Sequence, residues 1–262
     1  MVSQGYAAII RQSRSLLTAP VEPDPYLSSV AQRWPSHSFL GNCAQAVYQR
    51  QVGFLAQLLS RYTGRPAADT RVLDWGCGKG HITYLLTRQG FHVTACDRRD
   101  ESGDSAFGQA TPIIAEREIQ VTALDDSIRL PFDSATFDCV VSFGVLEHVS
   151  DDLASMREIR RVLKPGGMFY VTFLPYPLSW TQALARLRGN DYHDRLYWRR
   201  SVERLAAAAQ FSVQGMWLGQ LLPKNSMSLS LDGICEPVDR ALCRYTPLKY
   251  FATNLEAVLT AV

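Results

Sequence analysis

The chain has 262 residues, of which 47% are hydrophobic and 20% are charged, and this composition is typical of one globular domain with a full core. Its formal net charge of +2 is too small to indicate nucleic-acid binding across the whole surface. The six cysteines include no C-x-x-C pair, so we expect buried thiols in a reducing compartment, without a disulfide framework or a metal site.

The first 21 residues contain Arg11, Arg14 and several serines but no acid. This composition fits an organelle transit peptide or an ordinary amphipathic surface helix, and both interpretations stay open. The apolar stretch from Tyr6 to Ile10 is too short for a secretory signal or a membrane span. We therefore expect a cytoplasmic protein.

The region before Thr70 is predicted to be helical. Between Ala44 and Tyr62, apolar residues recur at helical spacing on one face, and the segment Gly64-Arg65-Pro66 ends the helix. Residues 20–25 contain three prolines and predict a turn-rich hinge ahead of it. We interpret residues 1–69 as an N-terminal helical lid or extension and residues 70–262 as the main domain.

Short strands alternate with helices from Thr70 onward, and this order predicts a mostly parallel sheet with helices on both faces. The predicted helices are Ile82 to Gln89, Leu153 to Leu163, where Lys164-Pro165-Gly166-Gly167 follows as a stop, and Ser201 to Gln210. The predicted strands are Arg71 to Trp75, His92 to Cys96, Ile119 to Ala123, Phe137 to Ser142, Met168 to Phe173, Phe211 to Leu218 and Thr253 to Ala261.

Three glycines at alternate positions follow the first strand, which ends just past Asp74. Ligands of open α/β sheets bind at such a turn, and glycine lets the main chain approach them closely. A dinucleotide-binding turn would place its third glycine at position 81, which is histidine, and a P-loop would place Ser or Thr after its lysine. The carboxylate of Asp74 also disfavours a polyphosphate and suits a ligand with an ammonium group.

Polar residues also follow the next strands. Asp97 ends the second strand, where a carboxylate can accept both ribose hydroxyls. After the third strand, Asp126 can accept an adenine amine and the Ser127 amide can donate to a ring nitrogen. Phe143, at the end of the fourth strand, can form a pocket wall. Together these residues predict a site for a nucleoside that carries an ammonium group.

Four segments of the chain resemble class I S-adenosylmethionine-dependent methyltransferases: VLDWGCGKG, VTACD, DDSIRLPFDSATFDCVVSFGVLEHV and REIRRVLKPGGMFYVTF. The resemblance covers Thr70 to Leu174 well and the remainder only in outline. It implies a Rossmann-like α/β fold with a seven-stranded sheet, its last strand antiparallel, and S-adenosyl-L-methionine as cofactor. The predicted cofactor contacts are Asp74, Trp75 as pocket wall or core, Gly76, Cys77 through its backbone, Gly78, Gly80, Asp97, Arg98, Asp126, Ser127 and Phe143.

His148 is the predicted catalytic residue, because the segment after the fourth strand faces the transferable methyl group in this family and histidine is suited to general base catalysis. A structural role, in which His148 fixes the loop together with Glu147, is the alternative. Arg50 is a further candidate, which could contact the cofactor carboxylate or lie solvated on the surface.

Two enlarged segments, residues 175–198 and 219–250, should decide the methyl acceptor. Six arginines between Arg186 and Arg204 predict either a solvated face or a pocket for an acidic acceptor. The apolar residues of the second segment predict a lid, a dimer face, a lipid-facing surface with peripheral membrane contact, or additional core. We expect O-methylation of a small-molecule, sugar or lipid-linked acceptor and no nucleic-acid partner. The alternatives are C- or N-methylation of a metabolite or quinone-like lipid, and a non-catalytic cofactor-binding scaffold.

Overall fold

The computed structural model describes residues 3–98, 111–125, 128–189 and 195–262, with side chains from residue 8 onward. Within these residues the chain forms a seven-stranded sheet with the strand order β3-β2-β1-β4-β5-β7-β6. All strand pairs are parallel except those of β7, which runs antiparallel to β5 and β6, as predicted. The strands are β1 (Arg71–Trp75), β2 (His92–Arg98), β3 (Val121–Leu124), β4 (Phe137–Phe143), β5 (Leu163–Pro175), β6 (Phe211–Gly219) and β7 (Asn254–Ala261).

The central strands are buried on both faces, which explains their continuous apolar sequences. All eight residues of β7 are buried, and six of the seven in β4 are buried. Each predicted strand overlaps an observed one, and the largest difference is at β5. Its first residue, Leu163, already pairs with Phe137, so the segment predicted as a helix stop lies inside the strand.

Five helices of the described chain pack on or beside one face of the sheet. The longest, the third, contributes Phe54, whose ring centroid lies 5.7 Å from that of Tyr170 and 5.6 Å from that of Trp217. Gly64 ends this helix in the left-handed conformation, as predicted. The helices are α1 (Ser3–Ser13), α2 (Pro25–Arg33), α3 (Cys43–Thr63), α4 (His81–Arg88) and α5 (Pro112–Glu116).

The opposite face of the sheet is covered by α6 (Asp152–Val162) and α8 (Arg199–Ala208). Met156, Ile159 and Val162 of α6 form an apolar stripe and are fully buried, and Asp151 caps the helix. Two further helices lie in the enlarged segments, α7 (Trp180–Leu187) and α9 (Asp232–Tyr245).

The N-terminal residues are part of the same core. Ile10 of α1 is 4% exposed, and its Cδ1 lies 3.2 Å from the place that a Cβ at Gly215 would occupy, so α1 packs directly on β6. Asp24, in the predicted hinge, caps α2 through Leu27 N. Among the helices described, none combines the length and apolar character that a membrane crossing requires.

Candidate active site

The glycine turn, residues 76–80, connects β1 to α4 at the carboxyl edge of the sheet. Gly76 N and Cys77 N both donate to the Cys96 carbonyl of β2, at 2.9 and 3.0 Å, and fix the turn to its neighbour. Gly76 has φ +73°, and a Cβ there would meet Val145 Cγ2 at 2.5 Å. Around Gly78, in contrast, the nearest atom to an added Cβ would be a backbone oxygen at 4.0 Å. Gly78 is therefore where a ligand can approach the main chain.

Asp97 lies next to this open position. Its Oδ2 accepts a hydrogen bond from Gly78 N at 2.6 Å, and its Oδ1 accepts one from Arg98 N at 2.7 Å. Each oxygen keeps a second lone pair that can accept from a ligand hydroxyl. Burial raises the pKa of Asp97. The structure thus brings Asp97 to the glycine turn, while the Arg98 side chain is exposed.

Asp74 is buried beneath the turn, with 1% of its surface exposed. It accepts a hydrogen bond from Thr83 Oγ1 of α4 at 2.6 Å, and burial raises its pKa to about 7. The carboxyl group consequently anchors the first helical turn of α4. It also places an acidic group beneath the glycine turn.

Two of the predicted contacts can act only through their backbone. Trp75 is 2% exposed and packs in the core on the α6 face, which is the core outcome of the two expected. Cys77 is 3% exposed, and burial raises the pKa of its thiol far above the ordinary value. Asp126 and Ser127 lie outside the described residues.

The end of β4 contributes Phe143, Glu147 and His148. The Phe143 ring centroid lies 5.9 Å from that of Phe173 at the end of β5. Glu147 is 2% exposed, its Oε2 has no hydrogen-bond partner among the described residues, and burial raises its pKa to about 7. His148 is half exposed, with its Nε2 3.9 Å from Glu147 Oε1. This pair can accept a proton from the group that receives the methyl.

An aromatic cluster near the glycine turn was not predicted from the sequence. Tyr48 of α3 lies with its ring centroid 4.6 Å from His81, the first residue of α4, and 5.7 Å from Phe173. The Phe39 ring centroid lies 5.4 Å from that of His81 and 6.2 Å from that of Tyr48. Burial lowers the pKa of His81 to about 3, so this ring is neutral. The cluster forms an apolar wall, and its members are too far apart in sequence to give a local signal.

The position of Arg50 differs from both outcomes predicted for it, contact with the cofactor carboxylate and a solvated place on the surface. It is 3% exposed, so it is not a solvated surface residue. Its guanidinium donates to the Ala19 carbonyl at 2.8 Å and forms ion pairs with Asp232 and with Glu236 of α9, the second at 3.3 Å. Because two carboxylates already neutralise this charge, Arg50 joins α3 to α9 and is not available for a cofactor carboxylate.

Two of the six arginines between residues 186 and 204 are used for backbone contacts. Arg195 donates to the carbonyls of Val149 and Ser150, and Arg199 donates to the Met216 carbonyl at 3.0 Å. Their guanidinium groups therefore tie this segment to the loop after β4 and to β6. Two of the six arginines from which a pocket for an acidic acceptor was predicted thus have structural contacts.

Residues 48–214, more than half of the chain, match the family model of the methyltransferase domain. The chain belongs to this family, which confirms the predicted class of S-adenosylmethionine-dependent methyltransferases. The chain is 30% identical over 166 residues to a ubiquinone biosynthesis O-methyltransferase of Methylocella silvestris, covering 58% of this chain and 62% of that protein. The protein of the same name from Xylella fastidiosa is 36% identical over 114 residues, 44% of this chain and 46% of the relative. The matched segment thus spans about half the length of these curated relatives.

Solved structures show the same fold. A SAM-dependent methyltransferase from Archaeoglobus fulgidus superposes with a TM-score of 0.51 at 15% identity, covering 80% of this chain and 94% of that chain. One from Thermotoga maritima superposes with a TM-score of 0.52 at 14% identity, covering 74% and 83%. At these identities the likeness concerns the fold alone, and it agrees with the strand order of the sheet.

Proposed function

We propose that this chain transfers the methyl group of S-adenosylmethionine to a hydroxyl oxygen of a small, quinone-like lipid. The main observation that supports this cofactor is the position of Asp97 beside Gly78. A carboxylate with free lone pairs, next to a main chain that a ligand can approach, suits the vicinal hydroxyls of a ribose. Burial raises the pKa of Asp74 beneath the turn to about 7, and a ligand with an ammonium group would favour the ionised form of this carboxyl group.

The acceptor class is supported by two independent observations. The two curated relatives described above are both named as O-methyltransferases of ubiquinone biosynthesis. In addition, the aromatic wall formed by Tyr48, His81 and Phe173 provides an apolar surface on which a flat ring can pack. A hydroxylated aromatic ring fits these surroundings better than a sugar, which would require more hydrogen-bonding groups along that wall.

S-adenosylmethionine, when bound, supplies an electrophilic methyl carbon for an in-line displacement. The protein aligns the acceptor oxygen with it and excludes water, and this positioning contributes on the order of 7 to 11 kcal/mol. The hydroxyl proton is accepted by the Glu147–His148 pair, with His148 as the base and buried Glu147 as its partner.

The insert of residues 219–250 supports contact with a membrane surface, where a lipid acceptor would reside. Large apolar side chains of α9, of the residue before it and of the turn after it are exposed to solvent, and basic residues lie among them. Interfacial helices combine apolar and basic residues in this way. The apolar residues are Leu231, Ile234, Val238, Tyr245, Leu248, Tyr250 and Phe251, and the basic ones are Arg240, Arg244 and Lys249.

The proposed activity is tested with methyl-labelled S-adenosylmethionine and a panel of hydroxylated quinone and phenol lipids. We expect label in an ether product and, for Asp97→Asn, an affinity for the cofactor reduced by about tenfold or more, measured by calorimetry. Asp69→Asn is the matched control, because Asp69 is exposed ahead of β1 at the opposite edge of the sheet. Label on carbon or nitrogen, or binding without any labelled product, would overturn the proposal.

Membrane contact is tested separately by flotation with anionic liposomes. Ile234→Glu and Val238→Glu should reduce the floating fraction, whereas Leu187→Glu on α7, which is 86% exposed, should leave it unchanged. A protein that stays at the bottom of the gradient in every case has no peripheral contact through this insert.

A further inference from the structure

A cavity of about 570 Å³ lies away from the glycine turn, between the N-terminal residues, the β6–β7 edge of the sheet and α9. We call it the edge cavity. Its volume is within the range of roughly 300 to 1,000 Å³ typical of small-molecule sites. Its described lining residues come from α1 and the turn after it, α3, β6, β7 and the insert, and none comes from the glycine turn, β2 or β4. The edge cavity is thus distinct from the proposed cofactor site.

The floor of the edge cavity is polar. Glu256 of β7 is 2% exposed and accepts hydrogen bonds from Trp217 Nε1 at 2.7 Å and from Gln51 Nε2 at 2.8 Å. Burial raises the pKa of Glu256 to about 7. A carboxyl group in this state can accept from a ligand hydroxyl or donate to one. The floor therefore provides a preformed hydrogen-bonding group at the base of the edge cavity.

Four exposed arginines line the edge cavity, and we call them the rim arginines. Arg11 and Arg14 come from α1 and the turn after it, and Arg240 and Arg244 come from α9. The Arg14 guanidinium lies 5.0 Å from the centroid of the Trp217 ring, and Arg240 donates to Thr18 Oγ1 at 3.0 Å. The hydrogen bond of Arg240 joins α9 to the turn after α1, so like charges converge from two separate parts of the chain.

Apart from Glu256, which interacts electrostatically with Arg14, the acids in the cavity wall are engaged by groups other than the rim arginines. Lys224 Nζ lies 2.9 Å from Asp239 Oδ2 and is also paired with Glu236, which accepts from Arg50 as well. Asp239 Oδ1 in addition accepts from the backbone N–H groups of residues 221 and 222. Because these carboxylates are held by buried cations and by the backbone, Glu256 is the acid that offsets the rim arginines, and four arginines against one carboxyl group leave positive potential for a bound anion.

We propose that the edge cavity binds a small phosphate ester, with its phosphate at the rim arginines and a hydroxyl group at Glu256. Arginine is suited to this role because its planar guanidinium binds phosphate oxygens with paired hydrogen bonds. A phosphate carries up to two negative charges, which match an opening flanked by arginines on both sides better than a single carboxylate does. This site is additional to the methyl-transfer site.

The indole N–H of Trp217 reports on binding, because it donates to Glu256 at the floor. The full chain is labelled with ¹⁵N at its tryptophan indoles, and the Trp217 N–H resonance is assigned with Trp217→Phe. The protein is then titrated with glycerol 3-phosphate, inorganic pyrophosphate, succinate and vesicles of phosphatidylglycerol. We expect glycerol 3-phosphate to shift this signal in the millimolar range or below, and the double substitution R11Q/R14Q to weaken binding at least about tenfold. Arg157→Gln is the control, since Arg157 is exposed on α6 at the other face of the sheet.

The probes distinguish the sources of the phosphate. Binding of glycerol 3-phosphate supports a soluble ester, and a response to the vesicles alone supports a phosphate in a lipid headgroup. Pyrophosphate should bind to the Glu256→Gln variant as well as to the unchanged protein, whereas glycerol 3-phosphate should bind more weakly to it. Equal binding of succinate, no shift with any probe, or an unchanged affinity in R11Q/R14Q would overturn the proposal. None of these readouts depends on methyl transfer.

Discussion

Glu147 and His148 differ in environment although they are adjacent in sequence. Glu147 is buried with an oxygen that has no partner among the described residues, whereas His148 is half exposed. The exposed ring can exchange its proton with water, and the buried carboxyl, whose Oε1 lies 3.9 Å from Nε2, can stabilise the protonated ring through its charge. This division of roles makes His148 the proposed base and Glu147 its positioning residue.

His148→Ala should lower kcat by about 10²-fold or more, since a positioned base contributes this much to proton transfer. The Kd for S-adenosylmethionine should be unchanged, because the ring does not belong to the glycine turn. Steady-state kinetics and calorimetry measure the two quantities. Glu147→Gln should shift the pH profile of kcat, and a profile identical to that of the unchanged protein would contradict a positioning role.

Glu256 makes stability depend on pH. Its pKa in the folded state is about 7, above the ordinary value of 4.5, so the folded state binds the proton more tightly than the unfolded state. Its contribution is therefore fully present below about pH 4.5 and is lost as the pH rises to about 7. Relative to Glu256→Gln, the unchanged protein should lose up to about 3 kcal/mol of unfolding free energy across this range.

Urea unfolding of both proteins at several pH values checks this expectation. Glu203→Gln is the control, because Glu203 is exposed on α8, and its stability curve should run parallel to that of the unchanged protein. A curve of Glu256→Gln that is also parallel would show that Glu256 does not titrate differently on folding.

At the scale of elements, the glycine turn is shaped by packing as much as by its ligand. Gly76→Ala should lower the unfolding free energy by at least about 2 kcal/mol, because φ is positive and the new methyl group would collide with Val145. Gly53→Ala in α3 is the matched control: space is open around it, and alanine should stabilise the helix by roughly 0.5–1 kcal/mol. Chemical denaturation distinguishes the two, and equal effects would contradict the packing argument.

The contact between α3 and α9 depends on buried ion pairs. Arg50→Met removes the cation from Asp232 and leaves this buried carboxylate without its ion-pair partner, whereas Glu236 keeps its ion pair with Lys224. We expect a loss of about 3–5 kcal/mol in unfolding free energy. Arg61→Met on the same helix is the control, because Arg61 is exposed and donates to Gln12 at 3.1 Å. Similar stabilities of the two variants would show that this cluster adds little.

At the scale of the whole molecule, the sequence patterns predicted those structural features that depend on residues close together in the chain. Strand positions and the end of α3 followed from local apolar patterns and from Gly64. The start of β5 did not, because pairing of Leu163 with Phe137 overrides the local helix-stop signal. Arg50 was misinterpreted because its partner Asp232 lies 182 residues further along the chain. The aromatic wall and the edge cavity are likewise assembled from distant segments.

The position of β7 has a consequence for how the molecule is assembled during synthesis. Because β7 lies between β5 and β6, β6 has no neighbouring strand until residues 254–261 have left the ribosome. Until then β5 and β6 both present open backbone edges, which favour pairing with other nascent chains. Truncation before residue 254 should therefore leave a product that associates with itself and depends on chaperones.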